Sequence, residues 1–339
     1  MSKRGVLLAN LGSPASTQVA DVRRYLNQFL MDPCVVDLPW LPRRLLVSLI
    51  LMRRPRESAE AYASIWWEGG SPLLVISQRV RDQLRNRLDM PVEMAMRYGE
   101  PSIESGVLAL VQQGVTEILL LHQYPQFADS TITTVVRETQ RVIGQHGLSV
   151  KLTVLPAFHD RPDYLDALAE SVRPHLEAGF DHLLMSYHGL PERHLRKVDP
   201  TGKHCLCSAD CCEQESPARA TCYRSQCRGV SRQIAEHFQL TDAQWSMAFQ
   251  SRLGKAKWIE PYTDAQLEAL AQRGVKRLLV MCPAFTADCI ETLEEIGMRG
   301  REQFINAGGE ELVLIPCLND HPQWLDVLAH WARSEPVSA

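Results

Sequence analysis

The sequence predicts an α/β fold of two similar halves, each a parallel sheet flanked by helices, with a cleft between them. Three observations predict it. Leu152 to Ala169 reads LTVLPAFHDRPDYLDALA, and Leu312 to Ala329 reads LVLIPCLNDHPQWLDVLA. A proline, Asp-x-Pro, an aromatic-Leu-Asp and Leu-Ala recur there at an offset of 160 residues (152 to 312). The same offset aligns Gly114-Val115 and the apolar run Ile118 to Leu121 with Gly274-Val275 and Leu278 to Met281. Two matches at one offset mark two related halves. Within each half, short apolar runs end in Gly or Pro and lead into helical patterns. Fully apolar strands belong to a sheet covered on both faces, and strand–helix alternation gives parallel strands with right-handed crossovers.

The first strand of each half is marked by a weaker pair, LLANLGSP from Leu7 and LLMSYHGLP from Leu183. Further on, PQFADS from Pro125 resembles PAFTADC from Pro283. In parallel sheets the chemistry sits beyond the carboxyl ends of the strands. That puts NLGSP (Asn10 to Pro14), HQYPQF around Pro125, SYHGLP (Ser186 to Pro191) and CPAFTADC (Cys282 to Cys289) at the working edges. The boundaries expected from this pattern are an N-terminal half over 1–150 and a C-terminal half with a closing helix over 151–335. An insert over 203–227 and an apolar lip near 40–54 complete the plan.

The chain has 339 residues, 45% hydrophobic and 22% charged, with a net charge of −4. This suits a globular protein with a full core and gives no basic footprint for nucleic acid. The opening MSKRGVLLANLGSP is too short an apolar run for an export signal, so a reducing cytoplasmic compartment is expected. No run reaches the ~20 apolar residues of a spanning helix. The longest, Leu45 to Met52 (LLVSLILM), lies between Arg43-Arg44 and Arg53-Arg54. It reads either as a core helix segment or as part of a lip that meets the inner face of a membrane.

His188 stands at a strand mouth before Gly189-Leu190-Pro191, where an imidazole can exchange protons near neutrality. The segment after CPAFTADC, IETLEEIGMRGREQFINAGG, predicts one helix, capped by Thr286 or Asp288 and ended by Gly308-Gly309. Glu291 and Glu295, four apart, share a face. A histidine and two carboxylates suit the transfer of protons or of a divalent cation. Trp66-Trp67 followed by EGGSP, Trp258 to Tyr262 (WIEPY) and Arg97-Tyr98 could frame a flat apolar ligand bearing carboxylates.

Together these segments resemble the ferrochelatases, from LLANLGSP through Ala329. The most specific parts are SYHGLP, Phe249 to Asp264 and FTADCIETLEEI (Phe285 to Ile296). The resemblance implies a chelatase-like fold of two Rossmann-like halves. It implies insertion of Fe²⁺ into protoporphyrin IX, the last step of haem synthesis. By position, it implies catalytic roles for His188 and Glu291 and a metal path over His188, Glu291 and Glu295. It implies porphyrin contacts at Leu11, Arg97, Tyr98, Tyr124, Ser130 and Trp258, with Met52 on an apolar lip. Where such chains often carry a further acid, this one has Arg299. A chelatase for another tetrapyrrole or metal, and a haem- or iron–sulfur-responsive binding protein on the same scaffold, are the alternative readings.

Six of ten cysteines fall in KHCLCSADCCEQESPARATCYRSQC, Lys203 to Cys227. Four thiolates suit a structural Zn²⁺ or a [2Fe–2S] cluster. The candidates are Cys205, Cys207, Cys211, Cys212, Cys222 and Cys227. Likeness to bacterial members with an internal insert implies the cluster, on Cys212, Cys222 and Cys227 with Cys205 or Cys207. Asp129 stands where the animal type has its first ligand. Cys34, Cys282, Cys289 and Cys317 read as small apolar residues.

Overall fold

A computed structural model describes residues 3–334, apart from Leu253 and Lys255. Those two lie inside the Phe249–Asp264 stretch, and the expected domain end at 335 also falls outside the described residues. The chain forms two compact units.

The first unit contains β1 (Arg4–Gly12), α1 (Val19–Leu30), α2 (Trp40–Ile65), α3 (Pro72–Arg87) and β2 (Val92–Tyr98). It continues with α4 (Ile103–Gln112), β3 (Glu117–His122), α5 (Thr134–Gln145) and β4 (Lys151–Val154). Its sheet is wholly parallel, in the order β2-β1-β3-β4. The second unit holds α6 (Pro162–Glu177), β5 (His182–His188), α7 (Glu192–Lys197), α8 (Tyr223–His237) and β6 (Trp245–Gln250). It adds α9 (Thr263–Gln272), β7 (Arg277–Met281), α10 (Ile290–Leu293), α11 (Arg301–Asn306) and β8 (Glu311–Leu314). Its sheet is also parallel, in the order β6-β5-β7-β8. The two orders are the same pattern, which is what the repeat predicted.

The expected boundary at 150/151 shifts in space. The first unit runs on to Ala157 and takes back the end of the chain from Asn319, while Pro125–Phe127 belong to the second. The closing helix α12 (Pro322–Arg333) therefore packs with the first unit instead of finishing the C-terminal half. Arg87 pairs with Asp326, Arg333 donates to the Arg87 carbonyl, and Arg4 donates to the Ser334 carbonyl. The repeat explains this exchange. LPAFHDRP and IPCLNDHP each follow the fourth strand of their sheet, and each leads into a helix of the other unit.

The strands form where the sequence is apolar on both faces. All six residues of β3 are buried, and so are the first six of β5. In the second unit Leu184, Ala248, Leu278, Val280 and Leu312 from the sheet pack with Leu267, Leu270 and Phe304 from the helices. Each of the leucine, valine and phenylalanine side chains among them gains about 1.5–3 kcal/mol by leaving water. Ser71 caps α3 through Leu74 N–H at 3.3 Å, with Pro72 at the first helical position. The GSP after Trp66-Trp67 is thus a helix start.

Candidate active site

Parallel strands put the carboxyl ends of β5 and β7 at one edge of the second sheet. β5 delivers His188 to that edge, half-buried. Its Nδ1 lies 2.7 Å from the Gly189 carbonyl. A carbonyl only accepts, so Nδ1 carries the proton and Nε2 presents its lone pair. The ring neighbours Trp258 and Phe285, with centroids at 6.5 and 6.4 Å. Gly189 is glycine because the backbone is crowded: a Cβ there would sit 2.8 Å from the Gln250 carbonyl oxygen and 3.2 Å from the Trp258 ring. Pro191 and Trp258 also bridge their backbones.

Beyond β7, Cys289 caps α10, replacing the expected Thr286 or Asp288. The Asp288 carboxylate accepts from the hydroxyl of Thr292, inside α10, at 2.9 Å. The single helix expected from IETLEEIGMRGREQFINAGG has a wider π turn over Glu295–Gly300 between α10 and α11. Here the Glu294 carbonyl accepts from both Met298 and Arg299 N–H groups, at 3.2 and 3.0 Å. Gly297 and Gly300 lie inside this turn, where Cβ atoms would crowd Leu314 and the Glu295 carbonyl. The helix ends as expected, with Gly308 at φ +110°.

Glu291 and Glu295 are both half-buried at this edge. The Glu295 carboxylate is already engaged. It accepts from Ser251 N–H at 2.8 Å, Ser251 Oγ at 2.5 Å and Gln250 Nε2 at 3.4 Å. Arg299 is spent on Glu294, at 2.7 and 2.9 Å. The Cys289 thiol is within hydrogen-bonding reach of the Glu291 side chain, and burial pushes its pKa far up, so it remains a neutral donor.

The porphyrin candidates divide into lining groups and anchored groups. Leu11, Ser130 and Trp258 are half-buried. The Tyr124 hydroxyl is buried with no hydrogen-bond partner among the described residues. Such an orphan costs about 1–3 kcal/mol unless a ligand or water meets it. Arg97 and Tyr98 are anchored. Arg97 donates from Nη2 to Asp32 at 2.6 Å and from Nε to Thr134 Oγ1 at 2.7 Å. The buried Tyr98 hydroxyl donates to the same Asp32 oxygen at 2.9 Å. Asp32, missed by the sequence reading, is 6% exposed. Burial alone would raise its pKa. The Thr134 hydroxyl, the Cys34 N–H, the Tyr98 hydroxyl and the Arg97 guanidinium outweigh that and hold it below the usual carboxylate range.

In the insert, five of the six candidate cysteines are buried and Cys207 is exposed. The Cys222 thiol is within hydrogen-bonding reach of both Cys205 and Cys212, and Cys212 also reaches Cys211. Cys227, on α8, is fully buried and senses Cys212 electrostatically. The loop is tied down by Asp199, whose carboxylate accepts from the N–H groups of Thr201, His204 and Cys205 at 2.8–2.9 Å. Glu213 pairs with Arg228 and Arg232 on α8. Among the described residues, no three of His, Cys, Asp and Glu are arranged to hold a metal ion. All ten cysteines are free thiols.

A family model described as Ferrochelatase matches residues 3–335. A ferrochelatase of Stutzerimonas stutzeri (strain A1501) is 62% identical over 338 residues, covering 99% of each chain. A ferrochelatase of Pseudomonas fluorescens (strain SBW25) is 63% identical over 340 residues, covering all of both. Among solved structures, the sirohydrochlorin chelatase SirB of Bacillus subtilis in complex with cobalt superposes with a TM-score of 0.54. It is 10% identical, and the match covers 98% of this chain and 94% of that one. SirB with Fe³⁺ gives a TM-score of 0.52 at 13% identity, with the same coverage. At that identity the likeness concerns the fold alone.

Proposed function

We infer the roles of the site residues from one premise: this chain belongs to the ferrochelatase family, and it inserts Fe²⁺ into protoporphyrin IX to make protohaem. In that reaction two pyrrole N–H bonds break, two protons leave and the ring nitrogens bind iron. The protein must accept protons, deliver a partly desolvated Fe²⁺ and hold the macrocycle bent so that its lone pairs are exposed.

His188 is the proton acceptor. The observation that carries this is the 2.7 Å contact of Nδ1 with the Gly189 carbonyl, which leaves Nε2 as a base at the strand mouth. Glu291, held on α10 at the same edge, guides Fe²⁺ or passes protons on. Glu295 belongs to the same path only if Ser251 releases its carboxylate. Leu11, Tyr124, Ser130 and Trp258 line the porphyrin, and Arg97 and Tyr98 present a rigid surface to it. His188→Ala should leave porphyrin binding, read by fluorescence quenching, intact and lower iron insertion by about 10²–10⁴-fold. A loss of only a few-fold would remove His188 from this role.

For the insert we assign a [2Fe–2S] cluster to Cys205, Cys212, Cys222 and Cys227. The support is the chemistry of the donor set, four buried thiols with Cys222 reaching two of the others, and the exposure of Cys207. When bound, the cluster supplies redox-active iron; no step of insertion is assigned to it. Protein purified without air should be coloured, with the ultraviolet–visible bands of such clusters. A colourless, zinc-containing protein would reverse the assignment.

We place the chain in the cytoplasm, where its free thiols persist, with a peripheral membrane contact through α2. Among the described residues no helix is long and apolar enough to cross a membrane. Yet Trp40, Leu41, Leu45, Leu49 and Met52 are each more than 60% exposed on α2, beside the exposed Arg44, Arg53 and Arg54. Apolar groups flanked by cations suit an anionic lipid surface. Co-sedimentation with phosphatidylglycerol vesicles, lost in Leu45→Glu, is the expected result; protein that stays in the supernatant would remove the contact.

A further inference from the structure

We propose that Gln250 is a positioning residue for iron insertion, its side-chain amide coupling the strand end that carries His188 to the helix that carries Glu291. The proposal rests on the reading that His188 and Glu291 perform the chemistry.

Gln250 is the last residue of β6 and lies opposite His188 in the parallel register. It is 3% exposed, which is unusual for an amide unless every polar atom is used. Its backbone carbonyl accepts from Gly189 N–H at 2.8 Å, directly behind His188. Its side-chain Oε1 accepts from Ser186 Oγ at 2.7 Å, two residues before His188 on β5. The Ser186 hydroxyl is also 2.8 Å from Thr263 Oγ1, at the start of α9. On the other side, Nε2 donates to the backbone carbonyl of Glu291 at 2.7 Å and reaches Glu295 Oε2 at 3.4 Å. One planar group therefore ties both carboxylate-bearing turns to the histidine strand.

The chemistry of the site selects an amide. One face needs an acceptor for the Ser186 hydroxyl, and the other needs a donor for a carbonyl and a carboxylate. An amide supplies both from one fork without needing to take up a proton. Met in its place would fill the volume and leave the Glu291 carbonyl without this donor. α10 is a single turn that runs straight into the π turn, so its hold on Glu291 depends on bonds from outside the helix. A glutamate would be worse while ionised. Its second oxygen would face the Glu291 carbonyl and the Glu295 carboxylate. Once protonated, it would regain a donor at the same place. A carboxyl buried beside a like charge protonates well above its ordinary range.

Two variants test this, each assayed for anaerobic iron insertion beside the parent and His188→Ala. Gln250→Met should lower kcat by about 10- to 100-fold, the usual cost of losing a partner one step from the reacting groups, with porphyrin KM unchanged. Gln250→Glu should show a distinctive pH signature. Its activity relative to the parent should rise as pH falls from about 8.5 to about 6, as the new carboxyl takes a proton. The groups facing it are Glu295 with nearby Arg299 on the π turn, the Cys282 thiol beyond β7, and the Ser186, Ser251 and Thr263 hydroxyls. Because the readout is a ratio to the parent, pH effects common to both proteins cancel. A parent-like kcat in Gln250→Met, or a flat ratio in Gln250→Glu, would overturn the proposal. If Gln250→Met does not fold, the Gln250→Glu ratio decides alone. Failure of the underlying reading looks different: His188→Ala would then keep its activity, whatever the Gln250 variants do.

Discussion

In the first unit the chain leaves its opening strand as LLANLG, Leu7 to Gly12. In the second it leaves as LLMSYHG, Leu183 to Gly189. Both end on a glycine pressed against the neighbouring strand. A Cβ on Gly12 would lie 1.8 Å from the Tyr98 carbonyl oxygen, and one on Gly189 would lie 2.8 Å from that of Gln250. The registers match Val6 with Leu183, opposite Leu119 and Leu279 at the shared offset, so Gly12 matches Gly189 and His188 stands where the first unit has Leu11. The scaffold is shared, and the proposed proton acceptor is a local substitution on it. Each unit also buries a polar group at the end of its second strand, Tyr98 or Gln250, and gives it a carboxylate partner, Asp32 or Glu295. The carboxylates differ in what they face. Asp32 meets a guanidinium, whereas Glu295 meets hydroxyl, amide and backbone donors. One is a fixed ion pair. The other is hydrogen-bonded by neutral donors.

The largest effect should come from Asp32→Asn. The Tyr98 and Thr134 hydroxyls can turn to accept from the new amide, but Arg97 cannot, and it is left half-buried without its counter-charge. A loss of about 3 kcal/mol is expected from urea unfolding at neutral pH. Because the folded pKa of Asp32 is depressed, its contribution is fully present above the unfolded value of about 3.9 and disappears as pH falls through the folded value. The parent should therefore lose stability in acid more steeply than Asp32→Asn. Parallel acid limbs, or a loss below about 1 kcal/mol, would mean that Arg97 needs no partner and that the two carboxylates are alike.

How much of this was legible in the sequence depends on how local each signal is. Leu152–Ala169 and Leu312–Ala329 exposed the duplication because helices that pack alike keep their apolar spacing. A further echo went unread. Glu100-Pro101 and Glu260-Pro261 stand at the same offset, and Met96 and Phe249 donate to the Pro101 and Pro261 carbonyls at 2.7 and 2.8 Å. His188 was legible because a strand followed by Gly-Leu-Pro marks a working edge. Asp32 was not, since MDPC reads as a turn and its partners Arg97, Tyr98 and Thr134 are far away in sequence. In the sequence Gln250 is only a polar residue after an apolar run; its place opposite His188 needs the register. The π turn was hidden because Glu291 and Glu295 fit an ordinary helix as well. α12 was a helix by its apolar spacing, but periodicity does not say which sheet a helix covers.

The smaller effect, and the sharper test of the comparison, is Glu295→Gln. A glutamine can still accept from Ser251 N–H and can donate to the Ser251 hydroxyl, which is free to turn. Only its approach to Gln250 Nε2 becomes donor against donor. Stability should fall by no more than about 1 kcal/mol, the net value of a typical hydrogen bond. Insertion should then report what the charge does. If Glu295 mainly anchors the end of β6, iron insertion should fall only modestly, because the glutamine still holds Ser251. If its carboxylate takes part in moving Fe²⁺, insertion should collapse while the fold and porphyrin binding are kept, because an amide that still holds Ser251 cannot replace an anion before a cation. Stability close to the parent's, with the KM for Fe²⁺ raised far more than that for porphyrin, would make Glu295 a carboxylate that leaves its anchor to meet the metal. An unchanged Fe²⁺ KM would leave it the second unit's counterpart of Asp32.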